Sequence, residues 1–493
     1  MIAWLLAFAL SCAGGIRELR SLPASDLLGK VVGDSSEAAG FLRAEAYLRA
    51  GRPADAIQSA QAFQVQFPSS TLIGPVRSLE AWGLLLTGES KKACQILAKL
   101  VGSPDRLASR MARDGLSEWI RSGHLPASEL LFLPSLLPPG EDTLLRAISL
   151  SVPPRPLVAI LPASGGFSLI GRRVYRGAQL AAAETKSTVV LVDEPTDPIE
   201  TALLVRGILA VAKPRAIIGP LLSNTSAAAA LEIARSSTNT PLILPAATSP
   251  GVSSLATTAW QLNITTGEQG RKAAQVAIEC VKTSEAYLLA PKSEFGESLG
   301  ESFQTEFVRL GGRIAWQRTY AAGATDFRAI LETMRKTALD LARRRGEDTS
   351  SLTPVVFVPG ESPSEALALA AQASLLGMKV RWIGASGWHS RQFLLETSGR
   401  MDGALLVSDN VPDESRQPWK DFSRKWRASE GDAPDRLAAL GWDATQLAIQ
   451  PTVPRFFAGA QADIKFDPAG RNNVNVGVLR VEKGAFVNGC REK

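Results

Sequence analysis

Two short apolar runs, each stopped by Gly or Pro and followed at once by hydroxyl residues, constrain this chain more than any other feature. They are Ile217 to Ser226 (IIGPLLSNTS) and Pro241 to Gly251 (PLILPAATSPG). A short continuous β-branched run reads as a parallel strand buried on both faces, and the hydroxyls that follow it then fall at the carboxyl edge of the sheet. In open α/β sheets that edge is where ligands sit. A hydroxyl that opens a helix also stands beside free backbone N–H groups, which suit a carboxylate or another anion. Residues 156–270 therefore read as β-α units whose turns line a cleft for a small polar guest.

Composition excludes several classes of function. At 493 residues the chain exceeds what one core serves, so two or three domains are expected. Apolar content of 45% and charged content of 21% fit an ordinary soluble globular protein. A net charge of +6 is mild for this length, and no Lys/Arg stripe interleaves with aromatics, so no nucleic-acid partner is expected. The densest basic cluster, Arg343-Arg344-Arg345, reads as a helix C-terminus stopped by Gly346. Cys12, Cys94, Cys280 and Cys490 show no C-x-x-C spacing, and His124 and His389 are the only histidines. Zinc, redox and histidine-base chemistry thus have little material, and no cofactor, metal or catalytic residue is expected.

Two literal patterns are discounted on local structure. Gly296 to Gly300 matches G-x-S-x-G, yet the strand before it ends near Ala290 and Glu297 to Leu310 reads as helix. Ser298 then lies on a helix surface, not on the sharp strand-to-helix turn that a nucleophile needs. Asp193, Glu194 and Asp197 look like paired carboxylates, but they end a strand and cap the helix that begins at Pro198.

The first eleven residues form an apolar stretch, too short to span a bilayer, that meets Cys12-Ala13-Gly14. This resembles a bacterial lipoprotein leader in which Cys12 becomes the lipidated first residue and the anchor to the membrane. No basic residue precedes the apolar run and no leucine stands three before Cys12, so a plain secretory peptide or an uncleaved anchor is the alternative. Each reading places the protein outside the cytoplasm, in the periplasm for the lipoprotein. Further on, Ala44, Tyr47, Gly51, Ala56, Phe63 and Pro68 fall at positions that resemble a tetratricopeptide repeat. Ala81, Leu84, Gly88 and Ala93 repeat those offsets about 37 residues later, where the standard repeat is about 34. Two helix pairs cannot bury their apolar faces alone, and residues 106–136 are expected to cap them. Prolines 138, 139, 153 and 154 mark a linker. The expected organisation is a leader at 1–12, a helical domain at 30–150 and a larger α/β domain at 156–493.

From Pro156 onward further pieces arrive in order: Val158 to Gly171 (VAILPASGGFSLIG), Arg176 to Ala181 (RGAQLA), Glu294 to Leu299 (EFGESL) and Thr325 to Phe327 (TDF). Ala438 to Ala444 (AALGWDA) and Ile464 to Gly470 (IKFDPAG) complete the set. With the two opening turns, they resemble the type I periplasmic binding protein superfamily, in its Leu/Ile/Val-binding, extracellular ligand-binding receptor branch. The resemblance implies an α/β fold of two Rossmann-like lobes joined by a hinge, here preceded by an all-α tetratricopeptide-like domain. The first lobe would come mainly from about 156–270 and the second from about 271–400. The strand Gly403 to Ser408 and the helix with Ala438 to Ala444 would be the returning segments.

The resemblance also implies a ligand site. Ser223, the backbone carbonyl of Ala246, and Thr248 stand where the first lobe holds an amino acid's carboxylate and ammonium. Ile170, beside Leu169, stands where the side-chain pocket is lined and favours an apolar guest or no specific guest at all. In the second lobe Phe295 replaces the usual tyrosine. Ser386 occupies the position of the acidic partner, for which Glu361 on an adjacent turn is a substitute. Ser223 and Thr248 also fit simple helix N-caps.

Two functions compete on these grounds. One is a solute-binding receptor of an ABC-type importer, which captures a small amino-acid-like ligand and delivers it to a permease. The alternative is an outer-membrane lipoprotein that docks on and activates a peptidoglycan synthase, because a helical-repeat front, a binding-protein domain and a lipoprotein leader resemble the penicillin-binding protein activators. The polar furnishing at Ser223 and Thr248 favours the receptor; the architecture favours the activator. Ligand binding is the reading carried forward, and no enzymatic activity is expected.

Overall fold

Runs with alanine at regular offsets build helix after helix up to Ser151, and alternating strand and helix patterns take over from Leu157. The computed structural model describes residues 19, 21–360, 362–397, 399–408, 414–468 and 471–490, so Cys12 and Glu361 lie outside the described residues. The chain divides into two units. One comprises residues up to Val158 with Val190–Pro214, the other Ala159–Val189 with the chain from Arg215 onward.

The helices up to the linker are α1 (Ala24–Val31), α2 (Glu37–Arg49), α3 (Pro53–Gln66), α4 (Ile73–Leu86), α5 (Ser90–Val101), α6 (Arg106–Arg121), α7 (Ala127–Phe132) and α8 (Asp142–Ser151). Ala44, Ala56, Ala81 and Ala93, which share offsets in the sequence, are all fully buried between successive helices. Gly51 and Gly88 turn the chain between them at φ 70° and 89°, a region that glycine enters without a Cβ penalty. α6 packs against α4 and α5, and its Trp119 meets Trp82 edge-on at 4.8 Å.

The next segment runs β1 (Leu157–Leu161), α9 (Ser168–Glu184), β2 (Val189–Asp193), α10 (Pro198–Val211), β3 (Ala216–Ile218), α11 (Ser223–Arg235), β4 (Leu242–Leu244), β5 (Ala259–Ile264) and α12 (Thr266–Gln275). α10 and most of β2 belong to the first unit, where Asp197 caps α10 by accepting from the N–H groups of Ile199 at 2.6 Å and Glu200 at 3.0 Å. Asp193 pairs with Lys91 at 2.5 Å. Asp197 is therefore a cap, as expected, whereas Asp193 serves an ion pair and Glu194 is buried, not solvated.

The remainder comprises β6 (Glu285–Lys292), α13 (Glu294–Arg309), β7 (Arg313–Ala321), α14 (Arg328–Arg345), β8 (Val355–Val358), α15 (Pro363–Leu375), β9 (Arg381–Gly384), α16 (Arg391–Thr397), β10 (Leu405–Ser408), α17 (Gln417–Glu430) and α18 (Arg436–Ala448), followed by β11 (Phe456–Ala458), β12 (Asp463–Lys465), β13 (Asn472–Asn473), β14 (Gly477–Glu482) and β15 (Ala485–Asn488). Within the second unit the first-lobe sheet runs β13-β5-β4-β3-β1 and the second-lobe sheet runs β15-β14-β10-β9-β8-β6-β7. β3, β4 and β5 are parallel, with Ile217 opposite Leu242 and Leu242 opposite Ala259. Their side chains are almost all buried, as strands covered on both faces require. The Arg343-Arg344-Arg345 run does end α14, with Gly346 at φ 68° as its C-cap.

Three expectations change in detail. The strand expected as a return to the first lobe stays in the second sheet, since β10 pairs with β9 on one side and β14 on the other. All four of its residues are buried, as a strand inside a sheet covered on both faces requires. The return is made by α17 and, as expected, by the helix with Ala438 to Ala444, α18, which packs on α9 of the first lobe. The second hydroxyl turn leads to a short 3₁₀ turn, Val252–Leu255, in place of a helix, because Gly251 enters the left-handed region at φ 83° and redirects the chain into β5. α13 begins at Glu294, before the expected 297, because Ser293 caps it by accepting from Gly296 N–H at 3.0 Å.

A disulfide joins Cys280, which ends a π-helical turn (Val276–Cys280) after α12, to Cys490, which follows β15. Their separation of 210 residues explains why spacing in the sequence gave no pairing.

Candidate functional site

The first lobe brings its two hydroxyl turns together. β3 ends at Ile218, and Gly219 follows at φ 86°, where an added Cβ would lie 2.1 Å from the carbonyl oxygen of Ile160. Only glycine fits that approach, and it lets the chain reach Ser223 at the first turn of α11. The Ser223 hydroxyl oxygen accepts hydrogen bonds from the backbone N–H groups of Thr248 at 3.2 Å and Ser249 at 3.1 Å. It is not a cap of its own helix, since the N-cap position is Leu222 with no side-chain bond. The N–H groups of the second turn, expected to be free for an anion, are thus tied to Ser223.

Thr248 is half-buried. Its carbonyl accepts from Thr266 N–H at 2.9 Å, whereas its hydroxyl makes no hydrogen bond among the described residues. The carbonyl of Ala246 accepts from the Asn263 amide at 3.3 Å, and Asn263 Oδ1 in turn accepts from the Arg436 guanidinium at 2.9 Å. Asn263 and Arg436 were not legible as site residues, because 173 positions separate them. Ile170 stands on the first turn of α9 with 37% of its surface exposed, next to the more exposed Leu169 and Phe167. The start of α9 is accordingly an apolar rim.

The second lobe presents a different set. Phe295, the second residue of α13, is half-buried against the core formed by Ala273, Phe303 and Phe357. Ser386 opens a 3₁₀ turn after β9 whose third residue, Trp388, is fully buried and stacks on Phe393 at 5.6 Å. The Ser386 carbonyl accepts from His389 N–H at 3.0 Å, and His389 Nδ1 lies 2.8 Å from the Ser408 hydroxyl at the end of β10. Glu361 falls outside the described residues.

Two hydroxyl contacts connect the lobes at the crossing. Thr266 and Ser298 share a hydrogen bond of 2.7 Å, and Ser249 donates to Glu294 at 3.5 Å. Ser298, expected on a helix surface, is in fact half-buried between α12 and α13. The reason is Gly270, where an added Cβ would lie 2.6 Å from the Leu299 carbonyl, so the two helices approach to backbone contact. The structure therefore joins Ser223 to Thr248 directly, keeps Ala246 in the same turn, and places Phe295 beside Glu294. Ile170 and Ser386 stand on separate elements and share no hydrogen bond with that group. Among the described residues no His, Cys, Asp or Glu cluster suits a metal ion, and no helix is long and apolar enough to cross a membrane.

Residues 156–451 match the family described as periplasmic binding protein. No curated protein matches the chain. Among solved structures, a putative branched-chain amino acid ABC transporter protein of Rhodospirillum rubrum is 18% identical with a TM-score of 0.58, over 68% of this chain and 99% of that one. The branched-chain amino acid transporter substrate-binding protein LivJ of Streptococcus pneumoniae, in complex with isoleucine, is 22% identical with a TM-score of 0.50, over 68% and 98%. An ABC transporter solute-binding protein of Rhodopseudomonas palustris, in complex with p-hydroxybenzoic acid, is 16% identical with a TM-score of 0.53, over 69% and 96%. At such identities the likeness is one of fold.

Proposed function

We propose, from the premise that this chain belongs to the periplasmic binding protein family, that it is an extracytoplasmic solute receptor. It captures a small amino-acid-like carboxylate with an apolar body between its lobes. The observation that carries this reading is the joined pair of turns in the first lobe. Ser223 holds Thr248 and Ser249 in place and leaves the Thr248 hydroxyl available for a guest. Ile170, the Ala246 carbonyl, Phe295, Ser386 and Glu361 complete the proposed site, with Ile170 and Phe295 against the apolar part. Isoleucine and p-hydroxybenzoic acid, bound by the two relatives above, share a carboxylate on an apolar body, which supports that ligand class. The lobes close on a hinge where Thr266 and Ser298 already meet, and a transporter permease is the partner to which the ligand passes.

A thermal-shift screen of amino acids and benzoates tests this reading, since a ligand at a hundred times its Kd adds about 2.7 kcal/mol of stability. Removing one hydrogen bond to a charged group costs about 1.5–3 kcal/mol, so Thr248→Ala should weaken binding about ten- to a hundredfold. Ser223→Ala should act in the same direction by releasing the second turn. If no compound of either class raises the melting temperature of the folded protein, the receptor reading fails.

The Cys280–Cys490 bond supports an oxidising compartment outside the cytoplasm. Lipidation at Cys12 remains part of the proposal, and the intact mass of membrane-extracted protein tests it: a chain that still begins at Met1 would refute it. The second reading, docking on a peptidoglycan synthase, draws support from the helical front, where Val65 on α3 is 83% exposed. It gains if no ligand binds and if disruption of the first repeat around Tyr47 abolishes the cellular phenotype.

A further inference from the structure

Cys280 and Cys490 both line a cavity of about 1050 Å³ that opens at the amino ends of β9 and β10, where Arg381 and Leu405 begin those strands. This is the end of the second-lobe sheet opposite to the carboxyl edge that carries Ser386. Cys490 is exposed and Cys280 half-buried. The charged groups lining the cavity are Lys272, Lys282, Arg381 and Arg480 against Glu279 and Asp402. Arg480 pairs with Glu482 at 2.9 Å, while Lys272 and Lys282 make no ion pair among the described residues. An open, cation-rich cavity is thus lined by both bonded cysteines, one of which is exposed.

We propose that the Cys280–Cys490 disulfide is an exchange site for a small anionic thiol of the glutathione class that enters this cavity. Exchange needs a thiolate to reach one sulfur along the S–S axis and a leaving thiolate that its surroundings tolerate. Access favours attack on Cys490. The incoming thiolate bonds to Cys490 Sγ, the Cys280–Cys490 bond breaks, and Cys280 departs as a thiolate that takes a proton from water. A second thiol then attacks the mixed disulfide, leaving the protein with two thiols and releasing the small molecule as its own disulfide. Lys272, Lys282 and Arg381 draw in the anion and offset the cost of the departing charge. Glu279, next to Cys280 in sequence, opposes it, as does Asp402 at the rim.

Exchange has a structural consequence. Cys490 anchors the end of the β14–β15 hairpin, which pairs with β10 through β14. Cys280 ends the turn that follows α12, the helix by which the chain crosses from one lobe to the other. Opening the bond therefore releases the sheet edge and the end of the crossing element together. Cys94, buried on α5 with its thiol pushed up to about 12 by burial, offers no competing site.

The test uses the full chain with its disulfide intact and no denaturant. Native protein is incubated with glutathione or with neutral 2-mercaptoethanol at equal thiolate concentration, and adducts are mapped by peptide mass spectrometry. We expect a glutathione adduct on Cys490 that forms about tenfold faster than the neutral adduct, as electrostatic attraction into a charged cleft allows. The advantage should collapse at 1 M salt, where charges are screened within about 3 Å, and in a folded Lys272→Ala/Lys282→Ala variant. An adduct that appears only after unfolding, an equal rate for the neutral thiol, or an advantage untouched by the double substitution overturns the proposal. Each of these readouts is independent of whether the cleft at Thr248 binds a ligand.

Discussion

In the first lobe, α9 and α18 cross at Gly177 and Gly441, where an added Cβ would lie 1.9 Å from the carbonyl oxygen of Ala438 and 1.8 Å from that of Val174. In the second lobe, α13 meets the sheet through Phe303, whose ring stands 4.4 Å from that of Phe357 and 5.3 Å from that of Phe307. The helix-on-helix contact of the first lobe is thus closed by missing side chains, and the helix-on-sheet contact of the second by large ones. A contact closed by backbone has no room for added atoms; a contact closed by aromatic rings cannot spare the ones it has.

The largest effect should come from taking atoms out of the aromatic lobe. Phe303→Ala removes a fully buried ring and is expected to cost about 3–5 kcal/mol, read by urea unfolding. A loss below about 1 kcal/mol would mean that the layer collapses freely, and the contrast between the lobes would be lost.

Adding atoms should hurt at the backbone contact between α9 and α18. Gly177→Ala forces a Cβ onto backbone that cannot rotate away, and about 3 kcal/mol is expected, at the upper end for overpacking. Gly300→Ala in α13 is the matched control. Its Cβ would lie 3.5 Å from the Ala290 Cβ, an ordinary contact, and the gain in helix propensity should stabilise by about 0.5–1 kcal/mol. Equal melting temperatures for the two variants would break the comparison.

A third and smaller difference concerns charge. α18 of the first lobe carries Asp443, fully enclosed, whose two oxygens both face the single N–H of Ala460 at 2.8 and 3.0 Å. Burial pushes its carboxyl up to about 7 from the ordinary 3.8; the Ala460 N–H and the Arg416 guanidinium oppose that shift without cancelling it. The folded protein therefore keeps a proton that the unfolded chain has already lost. Stability should fall as pH rises from about 4 to about 7. At about 1.4 kcal/mol per unit the whole window amounts to a few kcal/mol at most, and only part of it lies in the range above pH 5. Asp443→Asn can still accept from Ala460 and should flatten that slope in a series of melting curves. An unchanged slope would assign the pH dependence to other groups.

Much of the fold was legible because its signals are local. The strand at Ile217, the cap at Asp197, the stop at Gly346 and the shared offsets of Ala44 and Ala81 each depend on neighbours a few positions away. The misreadings were local signals overruled at longer range. Gly403 to Ser408 looked like a return strand, but its fully apolar face drew it between β9 and β14. Ser298 looked like a surface residue, but Gly270 brings α12 against it.

The candidate site divides along the same line. Ser223 and Thr248 were visible because hydroxyls after a strand fall at the carboxyl edge wherever the sheet is placed, whereas Ala246 was named only through the family resemblance. Their actual hydrogen bonds were not visible. A Ser223 oxygen that could cap its own helix accepts instead from Thr248 and Ser249, because β3 and β4 are neighbours in the sheet.

By itself, then, the amino-acid sequence determined which segments become strands and helices, where they stop, and which residue types arrive at the sheet edges, since sterics, capping and apolar periodicity act within a few residues. Tertiary structure alone decided that Asn263 meets Arg436, that Thr266 meets Ser298 across the lobes, and that Cys280 meets Cys490. Those pairings join residues from 32 to 210 positions apart, and only the close packing of whole layers brings such distant groups within bonding distance.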